Sequence, residues 1–322
     1  MERLVGKIVF FFAVLFMIAL IGLLAYYSYL NQTSKNKTIE NIFNPHHAQV
    51  ITYPGKILFI SYSHHHQTLA RINPNTEKIT TLMRIKNLGF YLTISSSGKK
   101  AIYEIANHDR SQLYLLNLLT WKSKQLTTSG NNLMPSFSPS GKRIIYIREK
   151  QGAFRLLEVL TLKTKKIKPF VKPKHWYSNP KFLPDGSVLC TAYLNGRDQI
   201  IILDPKTNQE LPITHNRFKN SSPSISPNGK KIVFISNRAG NPEIYTIHTN
   251  GNHVHRLTFT TNVSYQDPTW SPDNKDIVFS ANLKGNHFHL YIINRRGKIL
   301  KQLTAGHSDE LAPQWYLPSA QG

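Results

Sequence analysis

The sequence predicts an all-β fold, a six-bladed β-propeller of four-stranded blades, preceded by one N-terminal transmembrane helix. Three observations carry this. A unit seen most clearly at Ser226–Ser236, SPNGKKIVFIS, recurs from Tyr53 (YPGKILFIS), Ser95 (SSSGKKAIYEI), Ser138 (SPSGKRIIYIR), Leu183 (LPDGSVLCTAY) and Ser271 (SPDNKDIVFSA). Its turn residues, Gly55, Gly98, Gly141, Gly186, Gly229 and Asn274, stand 43, 43, 45, 43 and 45 residues apart, and a strand-rich period of that size marks propeller blades. Residues 8–30, IVFFFAVLFMIALIGLLAYYSYL, run for 23 residues without a charge, which is enough to span a bilayer.

Residues 1–7 form a short tail. The apolar span at 8–30 lacks an A-x-A cleavage site, since Ala25 is followed by Tyr26 and Tyr27, so it reads as an uncleaved signal anchor. Charges on its two flanks nearly balance, and the orientation expected is a short tail inside with the large domain outside. Residues 31–47, NQTSKNKTIENIFNPHH, are polar and without period, a linker. The propeller occupies 48–322.

Each repeat gives the same four strands. A first strand ends in the turn (PSFSPSG, PSISPNG, PTWSPDN), and a second follows, apolar almost continuously, as in Ile232, Val233, Phe234 and Ile235. Such a strand is buried on both faces, as a blade between two neighbours requires. A third follows a polar loop, and a fourth ends in a Leu-Thr-like pair: Leu126-Thr127, Ile213-Thr214, Leu257-Thr258, Leu303-Thr304. Aromatics four or five places past the turn residue, Phe59, Tyr103, Tyr146, Phe234 and Phe279, read as packing between blades. The fourth copy has Leu189 and Cys190 there and is expected to pack less tightly. Cys190 is the only cysteine, which excludes an internal disulfide and fits a buried thiol. First-strand candidates number seven, from AQVITY at Ala48 and FYLTIS at Phe90 to PQWYL at Pro313. The expected resolution is that Pro313–Leu317 supplies a strand to the blade begun by the N-terminal repeat.

The segment Ser226–Thr258, SPNGKKIVFISNRAGNPEIYTIHTNGNHVHRLT, resembles the propeller repeat of the TolB family of bacterial envelope proteins. The resemblance covers roughly residues 48–318 and is strongest in the last two repeats. It implies a fold more than an activity, because similar repeats occur in peptidases, lyases and binding proteins. Proteins of the TolB type also carry an α/β domain and a cleaved signal before the propeller. Here an anchor and linker take that place, so TolB's own partners are not carried over.

The net charge is +23, and removing the first 47 residues still leaves 36 bases against 15 acids. This field favours anionic partners and selects none. Its densest run, Lys163, Lys165, Lys166, Lys168, Lys172 and Lys174, reads as a solvated hairpin and loop or as a contact for lipid phosphates or an anionic envelope polymer. No recognition helix or RNA-binding signature points to nucleic acid. A peptidase of the propeller-plus-hydrolase type would need a G-x-S-x-G elbow and a further domain, and neither is present.

Loops joining the fourth strand of one blade to the first of the next are expected to line the channel mouth. They would carry His175, His215, Gln266, Asp267, His307, Asp309 and Glu310, either a polar rim or, by resemblance to lyases acting on acidic sugars, ligands of a metal site. His64–His66 reads as a solvated loop, and His287 with His289 as surface. The same loops hold Trp176, Tyr177, Phe218, Phe259 and Tyr265, with Arg217 and Lys219 beside them, residue types that anchor protein interfaces. The sequence therefore reads as a membrane-anchored, extracytoplasmic, non-catalytic scaffold binding envelope proteins and needing no cofactor. Its alternatives are a metal-assisted lyase and a binder of anionic polymer or lipid.

Overall fold

The computed structural model describes residues 51–63, 66–107, 110–149 and 155–318. The apolar span 8–30, the linker, His64 and His65 lie outside them. Every one of the six turn residues has positive φ, from 62° at Asn274 to 91° at Gly186, the region that excludes most side chains. At Gly55 and Gly98 the requirement is doubled, since a Cβ would lie 2.1 Å from the carbonyl oxygens of Tyr316 and Leu317 respectively. The serine that opens the turn ties it from both ends. In Ser95, Ser138, Ser226 and Ser271 the carbonyl accepts the N–H of the turn residue at 2.8–3.0 Å. The same serines' Oγ accepts the N–H five residues on, at 2.9–3.1 Å.

From each turn runs the second strand of a blade: β1 (Lys56–Tyr62), β5 (Lys100–Asn107), β9 (Arg143–Glu149), β13 (Val188–Leu194), β17 (Lys231–Ala239) and β21 (Asp276–Ala281). Third strands are β2 (Gln67–Ile72), β6 (Arg110–Asn117), β10 (Leu156–Thr161), β14 (Arg197–Asp204), β18 (Asn241–His248) and β22 (His289–Asn294). Outer strands are β3 (Ile79–Arg84), β7 (Ser123–Gln125), β11 (Ile167–Pro169), β15 (Gln209–Pro212), β19 (His255–Arg256) and β23 (Ile299–Gln302). Inner strands are β4 (Leu88–Ile94), β8 (Asn131–Phe137), β12 (Tyr177–Phe182), β16 (Asn220–Ile225), β20 (Tyr265–Trp270) and β24 (Asp309–Tyr316). They form six antiparallel four-stranded sheets, and the inner strands touch in a closed round, β4 to β8 and onward to β24 and back to β4. We number the blades 1 to 6 by their second strands.

An apolar cluster fills each junction between neighbouring blades. The recurring aromatics sit there as the sequence predicts, with Tyr146, Phe234 and Phe279 fully buried. The fourth repeat is not looser at this position. Leu189 and Cys190 are also fully buried, and Tyr177, Phe182 and the half-buried Phe170 supply bulk on the Cys190 side. The Leu-Thr pairs follow the outer strands rather than end them. Thr127, Thr214, Thr258 and Thr304 accept, on Oγ1, the N–H of Leu113, Ile200, Ile244 and Leu290 at 2.9–3.0 Å. The residue before each threonine donates its N–H to the carbonyl of that same partner. Each pair thereby clamps the third strand where the outer ladder stops.

Closure follows the C-terminal reading. β24 pairs with β1, from Lys56 opposite Tyr316 to Tyr62 opposite Asp309, so the strand starts four residues earlier than Pro313 and stops at Tyr316. The competing AQVITY segment is not a strand over Ile51–Tyr53. The Asn75 side chain takes both backbone groups of Tyr53, accepting its N–H at 2.7 Å and donating to its carbonyl at 2.8 Å, which leaves none for a ladder. Trp315 then lies against Tyr53, and its indole N–H donates to the Pro54 carbonyl at 2.6 Å.

Candidate functional site

This topology places the six fourth-to-first loops on one face of the disc, together with the second-to-third loops. The first-to-second and third-to-fourth turns form the opposite face. On the first face, three consecutive loops between blades 3 and 6 present apolar rings to solvent. Trp176 is 58% exposed and Phe259 71%, while Phe218 is half-buried with the Arg217 guanidinium 5.3 Å over its ring. The Arg256 guanidinium covers the Phe259 ring at 4.6 Å and also donates to Glu243 at 3.0 Å, a fully buried carboxylate that accepts the Thr260 N–H at 2.7 Å. That pair fixes the start of the loop carrying Phe259. Lys219 is exposed and its backbone N–H is held by Asn237 at 2.8 Å.

Tyr177 and Tyr265 do not belong to this surface. They open β12 and β20, and their rings point into the junction clusters, 1% and 5% exposed. The Tyr177 hydroxyl donates to Glu210 at 2.5 Å and that of Tyr265 pairs with Thr260 at 2.8 Å. Burial pushes both phenols above their usual range, Tyr265 to about 12.

The histidines are scattered. His175 lies 3.3 Å from Glu210, His215 is exposed, and the His307 ring meets that of His287 edge-on at 6.1 Å. Gln266 and Asp267 are on β20, and Asp309 and Glu310 on β24, rather than on loops. His289 is not surface: it is buried on β22 with Nδ1 2.9 Å from the buried Glu310 carboxylate. His287 precedes that strand, so the two do not share a strand face. Among the described residues, no group of three or more His, Cys, Asp or Glu side chains is placed to hold a metal ion.

The lysine run is divided by the fold. Lys163, Lys165 and Lys166 are in the turn from β10 to β11 on the opposite face, Lys168 is on the outer edge, and Lys172 and Lys174 lie on the loop before Trp176. All six are exposed, and Lys174 Nζ donates to the Asn208 carbonyl at 2.8 Å.

A central channel was only partly legible. Met134, Asn179, Ser222, Asp267 and Ala312, each directly before a proline, have φ of 49–55°, and at each the ladder to the second strand slips by a bulge. Some of these bulges link neighbouring blades. The Asn179 N–H reaches Met134 Sδ at 3.2 Å, the Ala312 N–H reaches the Asp267 carboxylate, and the Met134 N–H reaches the buried Glu104 at 2.7 Å. Between the inner strands remains a cavity of about 40 Å³ into which Tyr91, Lys181 and Asp267 face. Burial lowers the Lys181 amine and raises the Asp267 carboxyl, each opposed by the other's charge. Lys181 stands where other copies have Ser136, Ser224 and Thr269, and that substitution within the repeat was the available signal. Phe90, 61% exposed and stacked on Tyr62 at 5.3 Å, carried none, because a strand aromatic reads as core.

The fold is a closed six-bladed propeller that presents exposed aromatic rings on one loop face. The chain belongs to the TolB β-propeller domain family (PD40), whose profile matches residues 155–317. The Tol-Pal system protein TolB of Francisella tularensis subsp. tularensis is 24% identical over 227 residues, 68% of this chain and 52% of that protein. The chain spans about half or less of the curated relatives it matches. The crystal structure of TolB from Acinetobacter baumannii superposes with a TM-score of 0.74 at 22% identity, over 82% of this chain and 67% of that one. An oligogalacturonate lyase from Vibrio parahaemolyticus superposes at 0.52 and 14% identity, over 81% and 77%. At such identities these likenesses are of fold.

Proposed function

We propose that the protein is a non-catalytic protein-binding scaffold of the bacterial cell envelope, held at the cytoplasmic membrane by residues 8–30 with its propeller in the periplasm or at the cell exterior. The observation that carries this reading is the exposure of Trp176 and Phe259, with Phe218 and Arg217 between them, on three consecutive loops of one face. Exposed rings flanked by arginine are the residues that anchor interfaces. Membership of the TolB propeller family supports the setting. Contact of the lysine run with an anionic polymer or lipid remains a lesser part of the proposal, reduced by the division of that run between two faces. The lyase alternative lacks a converging set of histidines among the described residues. Trp176→Ala and Phe218→Ala should each cost about 1–3 kcal/mol of partner binding with unchanged thermal unfolding, whereas His215→Ala and His307→Ala should leave binding unaltered. A metal-dependent activity on acidic oligosaccharides, lost in either histidine variant, would replace the scaffold with the enzyme.

A further inference from the structure

On the face opposite the aromatic loops, four turns of blades 5 and 6 enclose a groove of about 340 Å³, within the size range of small-ligand sites. Lys230, Lys231, Arg295 and His248 line it, and no carboxylate does. Among the described residues, none of these four forms a direct ion pair. Two acids lie close in sequence to the lining residues: Asp273, engaged by Lys275 at 3.7 Å, and the buried Asp276, whose carboxyl feels the Arg295 charge.

Three asparagine amides of the groove also offer donors. Asn228 Oδ1 accepts from Ser226 Oγ at 2.8 Å and from the Lys230 N–H at 3.1 Å. Asn274 Oδ1 accepts the Asn228 N–H at 2.9 Å, and Asn250 Oδ1 accepts the Asn252 N–H at 3.1 Å. Each of these carbonyl oxygens already accepts at least one protein hydrogen bond, and the three NH₂ groups can only donate. A further donor borders the groove: Trp270 lines it, is 4% exposed, and its buried indole N–H has no partner among the described residues. Buried donors without acceptors are uncommon in folded proteins.

A lining rich in cations and amide donors and without a carboxylate suits an acceptor-only ligand of multiple negative charge. From this groove we infer a second binding site, distinct from the aromatic face, that takes a phosphoryl group. Lys230, Lys231 and Arg295 neutralise its charge, and the amides of Asn228, Asn250 and Asn274 meet its oxygens. His248, held below its usual range by partial desolvation and by His253 and Lys231, gains a stabilised proton when the anion enters.

The test uses the full chain in a neutral maltoside detergent, titrated calorimetrically with inorganic phosphate, pyrophosphate and soluble dihexanoyl phosphatidylglycerol. Saturable one-site binding of at least one probe is expected. The pair Lys230→Gln with Arg295→Gln should weaken it on the order of tenfold or more, while Lys122→Gln with Lys124→Gln, the same charge loss at exposed positions of blade 2, should leave it unchanged. Binding of the free anions assigns the site to free phosphates, and binding of the lipid alone assigns it to a headgroup. In labelled protein, the His248 imidazole should titrate at higher pH once the binding probe is present. Absence of saturable binding with all three probes, equal weakening by both double variants, or an unmoved His248 titration would overturn the inference.

Discussion

A buried threonine after each outer strand shows how single atoms hold the blades. Thr258 Oγ1 accepts the N–H of Ile244 at 2.9 Å where no water reaches. Thr258→Val keeps the shape and orphans that N–H, so it should cost about 1–3 kcal/mol in denaturant unfolding; an unchanged midpoint would show that the clamp is dispensable. Asp276 makes a pH-dependent contribution of the opposite sign to most carboxylates. Burial raises its pKa from 3.8 to about 6, so the folded state holds this proton more tightly than the unfolded chain. Its contribution is most favourable below about pH 4 and is lost as pH rises through 6. Asp276→Asn should therefore be more stable than the wild type at pH 7 and no more stable below about pH 4, as melting curves across that window would read. Neither Asp276's burial nor that of Tyr177, Tyr265 and His289 was legible in the sequence. A polar or aromatic residue at the edge of a strand has the same local pattern whether it faces water or a neighbouring blade, and only the closed ring decides.

At the scale of elements, turn chemistry was legible and closure partly so. Serine, a residue of positive φ and a following apolar run determine one another within a dozen residues, which is why the second strands begin at the expected places. The closing strand was harder. AQVITY and PQWYL are both apolar runs of similar appeal, and the choice depends on Asn75 and Trp315, remote from both alternatives or at the far end of the chain. Residues before proline ordinarily favour extended conformations, so five inner-strand bulges with positive φ at that position were also beyond a local reading. Deleting the last twelve residues removes most of β24, including Trp315. It would leave the β1 edge unpaired, and the shortened protein should aggregate or lose cooperative unfolding. Retention of the full-length melting profile would show that the ring closes without this strand.

For the whole molecule, a repeat of strands specified the architecture, because each copy repeats the instruction and errors in one are corrected by five others. Function has no such redundancy. The aromatic face draws one ring from each of three loops, two of its seven expected members turned inward, and the phosphoryl groove gathers four turns spread over about seventy residues. The central claim is that Trp176, Phe218 and Phe259 face a protein partner. It is tested most directly by placing a photocrosslinking amino acid at Trp176 or Phe259 of the full chain in its native host, with Lys142 on the opposite face as the control position. The account predicts a discrete adduct with an envelope protein from the first two positions and none from Lys142. No adduct from the loop face, or the same adduct from both faces, would contradict it.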